Sequence, residues 1–367
     1  MSKKESVLVG ISGGIDSSMT ALLLHEQGYK VTTITLRVWD YMSAGCNMKN
    51  NGCCSVDEMY NAKEFSQKAG FDHYIEDVKA DFDKVVVTNF VDEYMKGGTP
   101  NPCVMCNPNI KWKYMLHKAN ELGCDFVATG HYAQTRFENG RHILCKAVDE
   151  NKDQTYFLWA LNQEYLSRTM FPLGGMTKSQ VRDIATDRGF VKLAEKRESQ
   201  EVCFIPDNDY RSFLRRRTPD IDEKVKGGVF VSTDGKILGE HEGYPFYTIG
   251  QRKGLKIALG KPMYVVDIDA ATNKIVLGDE SDLASVKMQV GRLNLIKYAY
   301  IPSEIEVHTK IRYRHQPKPS VFRMIDNDKA EVVFNEEINS VTPGQSAVFY
   351  QDNDVVGGGV IIKKSKD

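Results

Sequence analysis

Gly10-Ile11-Ser12-Gly13-Gly14-Ile15-Asp16-Ser17-Ser18 stands where an apolar run, Glu5 to Ile11, gives way to Ser17 to Glu26. The first reads as a buried strand and the second as a helix. A glycine pair at such a junction leaves backbone N–H groups free to face an anion. Ser12 and Ser17 add hydroxyl donors, and the helix presents its positive end. The stretch is therefore suited to a phosphate or pyrophosphate, with Asp16 placed where a Mg²⁺ ion would neutralise the charge. It has neither the Gly-Lys-Ser/Thr ending of a Walker loop nor the Gly-x-Gly-x-x-Gly spacing of a dinucleotide site.

Working outward, strand and helix signals alternate. Lys30 to Trp39 and His73 to Ile75 read as strands, and Ser55-Val56-Asp57-Glu58 as a capping box opening a helix to about Lys68. Phe82 to Met95 and Lys111 to Leu122 read as helices, and Asp125 to Thr129 as a short strand. This rhythm implies a doubly wound, mostly parallel α/β sheet. Beyond Gly130 the pattern changes. Asn139-Gly140 marks a hairpin between Gln134-Thr135-Arg136 and His142-Ile143-Leu144, and Thr177-Lys178-Ser179-Gln180 caps a helix to about Arg188. From about Gly227 short strands take over, which predicts two small barrel-like modules divided near Asp279 to Ser285. The expected domains are 1–208, 209–280 and 281–367, an α/β catalytic domain followed by central and C-terminal β-barrel-like domains.

The 367 residues suffice for two or three domains, and 41% apolar with 26% charged residues is an ordinary globular balance. No apolar run is long enough to cross a bilayer, so no membrane contact is expected. Met1 to Glu5 pass straight into Val7-Leu8-Val9, leaving no room for a signal or transit sequence; the expected location is the cytoplasm. The 48 Lys and Arg are balanced by 49 Asp and Glu, so any contact with a polyanion must be a local patch. Arg211 to Arg217 and Lys310 to His315 are candidates, each equally readable as a solvated face.

Of the eight cysteines, Cys124 and Cys145 sit in or beside strand-like runs and read as buried residues. Cys103 and Cys106 stand three apart in Thr99-Pro100-Asn101-Pro102-Cys103-Val104-Met105-Cys106-Asn107, read as a Pro-rich loop between helices. Cys203 lies far downstream in Ser199-Gln200-Glu201-Val202-Cys203-Phe204-Ile205. In a reducing compartment such thiols point to metal or sulfur chemistry rather than to a disulfide framework. Cys46, Cys53 and Cys54 read as incidental loop thiols.

The pattern Ser-Gly-Gly-x-Asp-Ser resembles the loop of the ATP pyrophosphatase superfamily, whose members adenylate a substrate oxygen. With Thr129-Gly130-His131-Tyr132, Lys152-Asp153-Gln154-Thr155-Tyr156-Phe157-Leu158 and the two cysteine segments, the chain resembles the tRNA-specific 2-thiouridylase family from its first strand to its final β region. That resemblance implies ATP and Mg²⁺ as cofactors, tRNA as substrate, and a cysteine desulfurase or sulfur-relay protein upstream. It implies Cys106 as nucleophile and Cys203 as persulfide carrier. The nucleotide site would include Gly10, Ile11, Ser12, Gly13, Gly14, Ile15, Asp16, Ser17, Leu36 and Gly130. Asn101, Pro102 and Cys103 would lie beside the target base, and His131, Lys152, Asp153, Gln154, Arg312, Tyr313 and Gln345 would contact tRNA.

Family members often carry Asp where this chain has Cys103. The change opens a [4Fe–4S] reading on Cys103, Cys106 and Cys203. It also opens a structural zinc reading on Cys103, Cys106 and two of Cys46, Cys53 and Cys54; the persulfide route ranks first. Two rival functions remain. Another adenylating synthetase would leave the cysteines without a task, and a zinc-stabilised RNA-binding protein would have no need of the phosphate loop.

Overall fold

The computed structural model describes residues 4–40, 56–196, 202–257 and 260–362. Cys46, Cys53, Cys54, the capping Ser55 and Ser199-Gln200-Glu201 lie outside them. Strands β1 (Ser6–Gly10), β2 (Lys30–Arg37), β3 (Asp72–Asp77), β4 (Phe126–Ala128) and β7 (Thr169–Met170) form a parallel sheet in the order β3-β2-β1-β4-β7. Because side chains alternate along a strand, β1 serves two cores. Val7 and Val9 pack with Met19, Ala21 and Leu24 of helix α1 (Ile15–Glu26) and with Ala62 and Phe65 of helix α2 (Val56–Lys68). Leu8 faces Trp112, Met115, Leu116 and Ala119 on the other side. The sheet is thus covered on both faces, as the alternating pattern implies.

The helix read from Lys111 begins earlier, and the supposed Pro-rich loop is partly helical. Pro102–Cys106 is a short helix with proline in its first turn, where a missing N–H is harmless. It runs through a π-helical stretch, Asn107–Trp112, into the helix Lys113–Leu122. Pro108 cannot donate to an α-helical ladder, and the widened turn absorbs that loss.

The hairpin at Asn139-Gly140 is present as β5 (Gln134–Glu138) and β6 (Arg141–Cys145), but it belongs to a different sheet from the strands that flank it in sequence. The strands β8 (Val229–Ser232), β9 (Ile237–Glu240), β10 (Tyr264–Asp269) and β11 (Lys274–Gly278) form a four-stranded sheet. After the turn Glu280–Leu283 come β12 (Ala284–Leu295), β13 (Glu304–Lys310), β14 (Lys318–Met324), β15 (Ala330–Asn339), β16 (Ser346–Gln351) and β17 (Asp354–Ile362). Their order β12-β15-β14-β13-β16-β17 closes through a β12–β17 pairing, which removes the free edges. The hairpin adds to this barrel through Cys145 opposite Asp354, and the Arg136 guanidinium grips the Asp354 carboxylate across the joint. Those bonds hold the carboxyl of Asp354 well below the usual range.

Candidate active site

The phosphate loop follows β1 directly. Gly14 occupies the N-cap of α1 in an extended conformation, and no described side chain caps the helix, so its first N–H groups stay available to an anion. Ser17 Oγ accepts from the Ser12 N–H at 3.1 Å and donates to the Gly14 carbonyl at 3.1 Å, which sets the curl of the loop. Gly13 has φ +78°, and a Cβ there would stand 2.3 Å from the Glu58 carbonyl oxygen. Glycine is required on both counts. Lys196 closes this side of the loop, its Nζ 3.0 Å from Glu58 Oε1 and 3.4 Å from the Gly13 carbonyl.

Gly130 is needed by packing: a Cβ would lie 2.7 Å from the Ser17 nitrogen and 2.8 Å from the Asp16 carbonyl carbon. The strand-to-loop segment after β4 therefore rests on the first turn of α1. Leu36 lies at the carboxyl end of β2, two residues past Ile34, whose carbonyl accepts from the Ile11 N–H at 2.8 Å. Both residues flank the loop at the carboxyl ends of parallel strands, where such sheets bind nucleotides.

Asp16 has a partner that the sequence reading lacked. Lys178 Nζ, on a side chain only 7% exposed, donates to both Asp16 oxygens at 2.7 Å, and the Tyr132 hydroxyl donates to Oδ1 at 2.9 Å. A carboxylate at a helix N-terminus suits a hydrated divalent cation arriving with a nucleotide, and such an ion would share or displace the ammonium. The capping box that starts helix Lys178–Asp187 is present with both arms, Thr177 and Gln180. A sequence signal existed for Lys178, since a lysine in the first turn opposes the helix dipole and needs another reason to be there.

The segment beside the expected base is clamped from two directions. Gln345 Nε2 donates to the carbonyls of Thr99 and Pro100, each at 3.0 Å, and the Thr99 N–H donates to the Pro343 carbonyl at 2.8 Å. The Asn101 side chain bonds the Tyr156 hydroxyl, which also reaches the Ser346 carbonyl at 3.1 Å. Pro102 then starts the short helix, and Cys103 is exposed on it.

Cys106, one turn on, is buried in a cluster with Phe90, Phe204 and Phe213, and Cys203 packs against the same cluster. Burial pushes the Cys106 thiol up to about 11; Lys111 opposes the rise and Cys103 adds to it. Leu36, near the carboxyl end of β2, packs against this cluster too. Among the described residues no three His, Cys, Asp or Glu side chains converge as metal ligands. Cys103, Cys106 and Cys203 therefore do not form a ready cluster site.

The expected tRNA contacts divide by environment. Asp153 is buried and holds its own loop, accepting from the Ala147 N–H at 3.1 Å and the Thr155 hydroxyl at 2.7 Å. Gln154 Oε1 accepts from the Tyr132 N–H at 2.9 Å. The half-buried His131 packs against Trp112 and Phe171, and burial keeps its imidazole neutral. Arg312 Nη2 donates to Thr342 Oγ1 at 2.8 Å and to the carbonyls of Ser340 and Ile249 at 3.0 and 3.4 Å. These four groups brace the site, whereas Lys152 is half-exposed and Tyr313 packs against Phe157 with tilted rings, their centroids 4.6 Å apart.

A parallel sheet with an uncapped, glycine-rich helix start at its carboxyl edge is the arrangement of an α/β nucleotide-binding domain. The profile of the tRNA methyl transferase HUP domain matches residues 5–207, that of the tRNA methyl transferase PRC-barrel domain residues 212–279, and that of the aminomethyltransferase beta-barrel domain residues 285–361. A tRNA-specific 2-thiouridylase MnmA of Amoebophilus asiaticus is 51% identical over 98% of this chain and 96% of its own length. Proteins of the same name from Cytophaga hutchinsonii and Salinibacter ruber are 50% and 46% identical, each over 98% of this chain and 98% and 95% of their own lengths. The chain belongs to the tRNA-specific 2-thiouridylase family.

Proposed function

We propose that this protein uses ATP to adenylate the carbonyl oxygen at carbon 2 of the wobble uridine of tRNA and replaces that oxygen with sulfur. What supports this reading is the joint presence in one domain of an uncapped, anion-binding helix start and of two cysteines, Cys106 and Cys203, packed at one apolar cluster. A synthetase adding ammonia to a small acid has no use for such thiols, and a zinc-stabilised binding protein has no use for the loop.

In the first step the uracil oxygen attacks the α-phosphorus of ATP and pyrophosphate leaves. The N-terminus of α1 and the Ser12 hydroxyl bind the phosphates while Ser17 holds the curl of the loop, and Mg²⁺, if held at Asp16, supplies charge neutralisation. In the second step the terminal sulfur of a Cys203 persulfide attacks carbon 2 and AMP leaves. The Cys106 thiolate then attacks the inner sulfur of Cys203. The S–S bond to the transferred sulfur breaks, 2-thiouridine is released and a Cys106–Cys203 disulfide remains, which a dithiol reductant resets. The persulfide itself comes from a cysteine desulfurase or relay protein. This route needs two thiols in one cluster, whereas a [4Fe–4S] route needs three convergent ligands, which the described residues do not provide. Among the described residues no helix is long and apolar enough to cross a membrane, and a tRNA-modifying role fits a cytoplasmic location. Mass spectrometry of tRNA from cells lacking the protein tests the reading. Loss of 2-thiouridine is expected, and its undiminished presence would refute the assignment.

A further inference from the structure

Most cations of the two basic stretches singled out in the sequence are engaged within the chain, three of them in ion pairs. Arg215 pairs with Asp222 at 3.0 Å and lies over Phe246, Arg217 pairs with Asp83 at 2.5 Å, and Arg216 reaches Asp207 at 3.8 Å. Arg211 covers the Tyr247 ring. In the second stretch Lys310 is half-buried over Tyr313 and Arg312 is committed to bracing. A polyanionic substrate needs positive charge that is still exposed to it.

The loop leading into β10 supplies that charge. Arg252 and Lys253 are exposed, and neither has an acidic partner among the described residues. Beside them Lys256 pairs with Glu242 and Lys261 with Asp279. Arg252, Lys256 and Lys261 rim a groove of about 540 Å³ whose apolar lining includes Leu255, Ile257 and Met263. The first residues of the loop are anchored. The Gly250 N–H donates to the Val265 carbonyl at 2.8 Å, the Val265 N–H donates back to the Gln251 carbonyl at 2.9 Å, and Gln251 Nε2 donates to the Lys253 carbonyl at 2.9 Å. Gly250 has φ +86°, and a Cβ there would stand 2.8 Å from Ser340 Oγ.

These anchors tie the loop to the base-side clamp. Arg312 bonds Ile249 on one side and Ser340 and Thr342 on the other, and the next residues, Pro343 and Gln345, hold Thr99 and Pro100. The start of the basic loop and the segment leading to Asn101–Cys103 are thus joined by one run of hydrogen bonds. We propose that Arg252 and Lys253 bind backbone phosphates of the tRNA whose wobble base is delivered to Asn101–Cys103. This inference rests on the functional reading above.

The test is filter binding of a tRNA transcript across a range of KCl concentrations, comparing the wild-type chain with Arg252→Ala/Lys253→Ala. Both side chains are exposed, so the fold should persist, and an unchanged melting curve checks this. Losing two phosphate contacts should lower the slope of log affinity against log salt by about 1.4–1.8. Lys68→Ala, which removes an exposed charge on α2, should leave the slope unchanged. An unaltered slope in the double variant would overturn the proposal alone, as would an equal fall in Lys68→Ala, because the effect would then be one of net charge. A wild-type chain that binds no tRNA at all would overturn the functional reading and this inference with it.

Discussion

Cys106 should be an unreactive thiol in the chain without substrate. Burial raises its pKa from 9.0 to about 11. Only the thiolate reacts with an alkylating agent, so at any pH well below 9 two units of pKa correspond to about 100-fold less reactive species. The sign is fixed by the cause: desolvation disfavours the charged form, so the thiolate fraction should climb about tenfold per pH unit and level off only near pH 11. The assay is iodoacetamide labelling at pH 7 to 10, with the Cys106 peptide quantified by mass spectrometry against an unstructured cysteine peptide. Labelling at least about 100-fold slower at pH 8 is expected, since limited access adds to the ionisation effect. Labelling as fast as the reference peptide would refute the buried-thiol account.

Gly130→Ala puts a methyl group 2.7 Å from the Ser17 nitrogen. It should cost about 1–3 kcal/mol in urea unfolding and reduce tRNA-dependent pyrophosphate release, and wild-type values in both would contradict the packing argument. Asp16→Asn leaves the buried Lys178 ammonium facing a neutral amide. Because Asp16 is itself partly exposed, the stability loss should be about 1–3 kcal/mol, below that of a fully buried pair, with adenylation abolished and tRNA binding kept. Gln345→Ala removes two hydrogen bonds to the Thr99–Pro100 segment and about 1–2 kcal/mol of bracing, so KM for tRNA should rise while KM for ATP stays constant. Cys103→Asp should retain substantial thiolation, whereas Cys106→Ser and Cys203→Ser should each stop it; loss in all three would favour a three-ligand metal site.

What was legible in the sequence was whatever a local pattern dictates. The alternation of Val7, Leu8 and Val9 between two cores, the loop between β1 and α1, the Thr177–Gln180 cap and the Asn139-Gly140 turn all follow from spacing or from residue-specific backbone preference. Long-range pairings were not legible. Nothing near Asp16 in sequence announces Lys178, 162 positions away, and nothing near Gln134–Cys145 announces that this hairpin joins a barrel closed by β17. Proline misled the reading of the cysteine segment. Pro102 starts a helix and Pro108 sits in a π-helical stretch, so a proline-rich stretch taken as a loop is mostly helix. The tRNA-contact residues inferred from resemblance carried chemistry without context: Arg312 suits a phosphate by type, but its Nη2 is committed to three acceptors of the protein.

Coupling of ATP cleavage to exchange of oxygen for sulfur on the wobble uridine can be read in a reconstituted reaction: chelator-treated, iron-free protein given unmodified tRNA, ATP, Mg²⁺, a persulfide donor and a dithiol. The digested tRNA is analysed by mass spectrometry and the nucleotides by chromatography. The account predicts 2-thiouridine at the wobble position, formed with AMP and pyrophosphate in equal amounts and absent with Cys203→Ser. AMP release without thiolated tRNA, or thiolation restored only after iron–sulfur reconstitution, would contradict it.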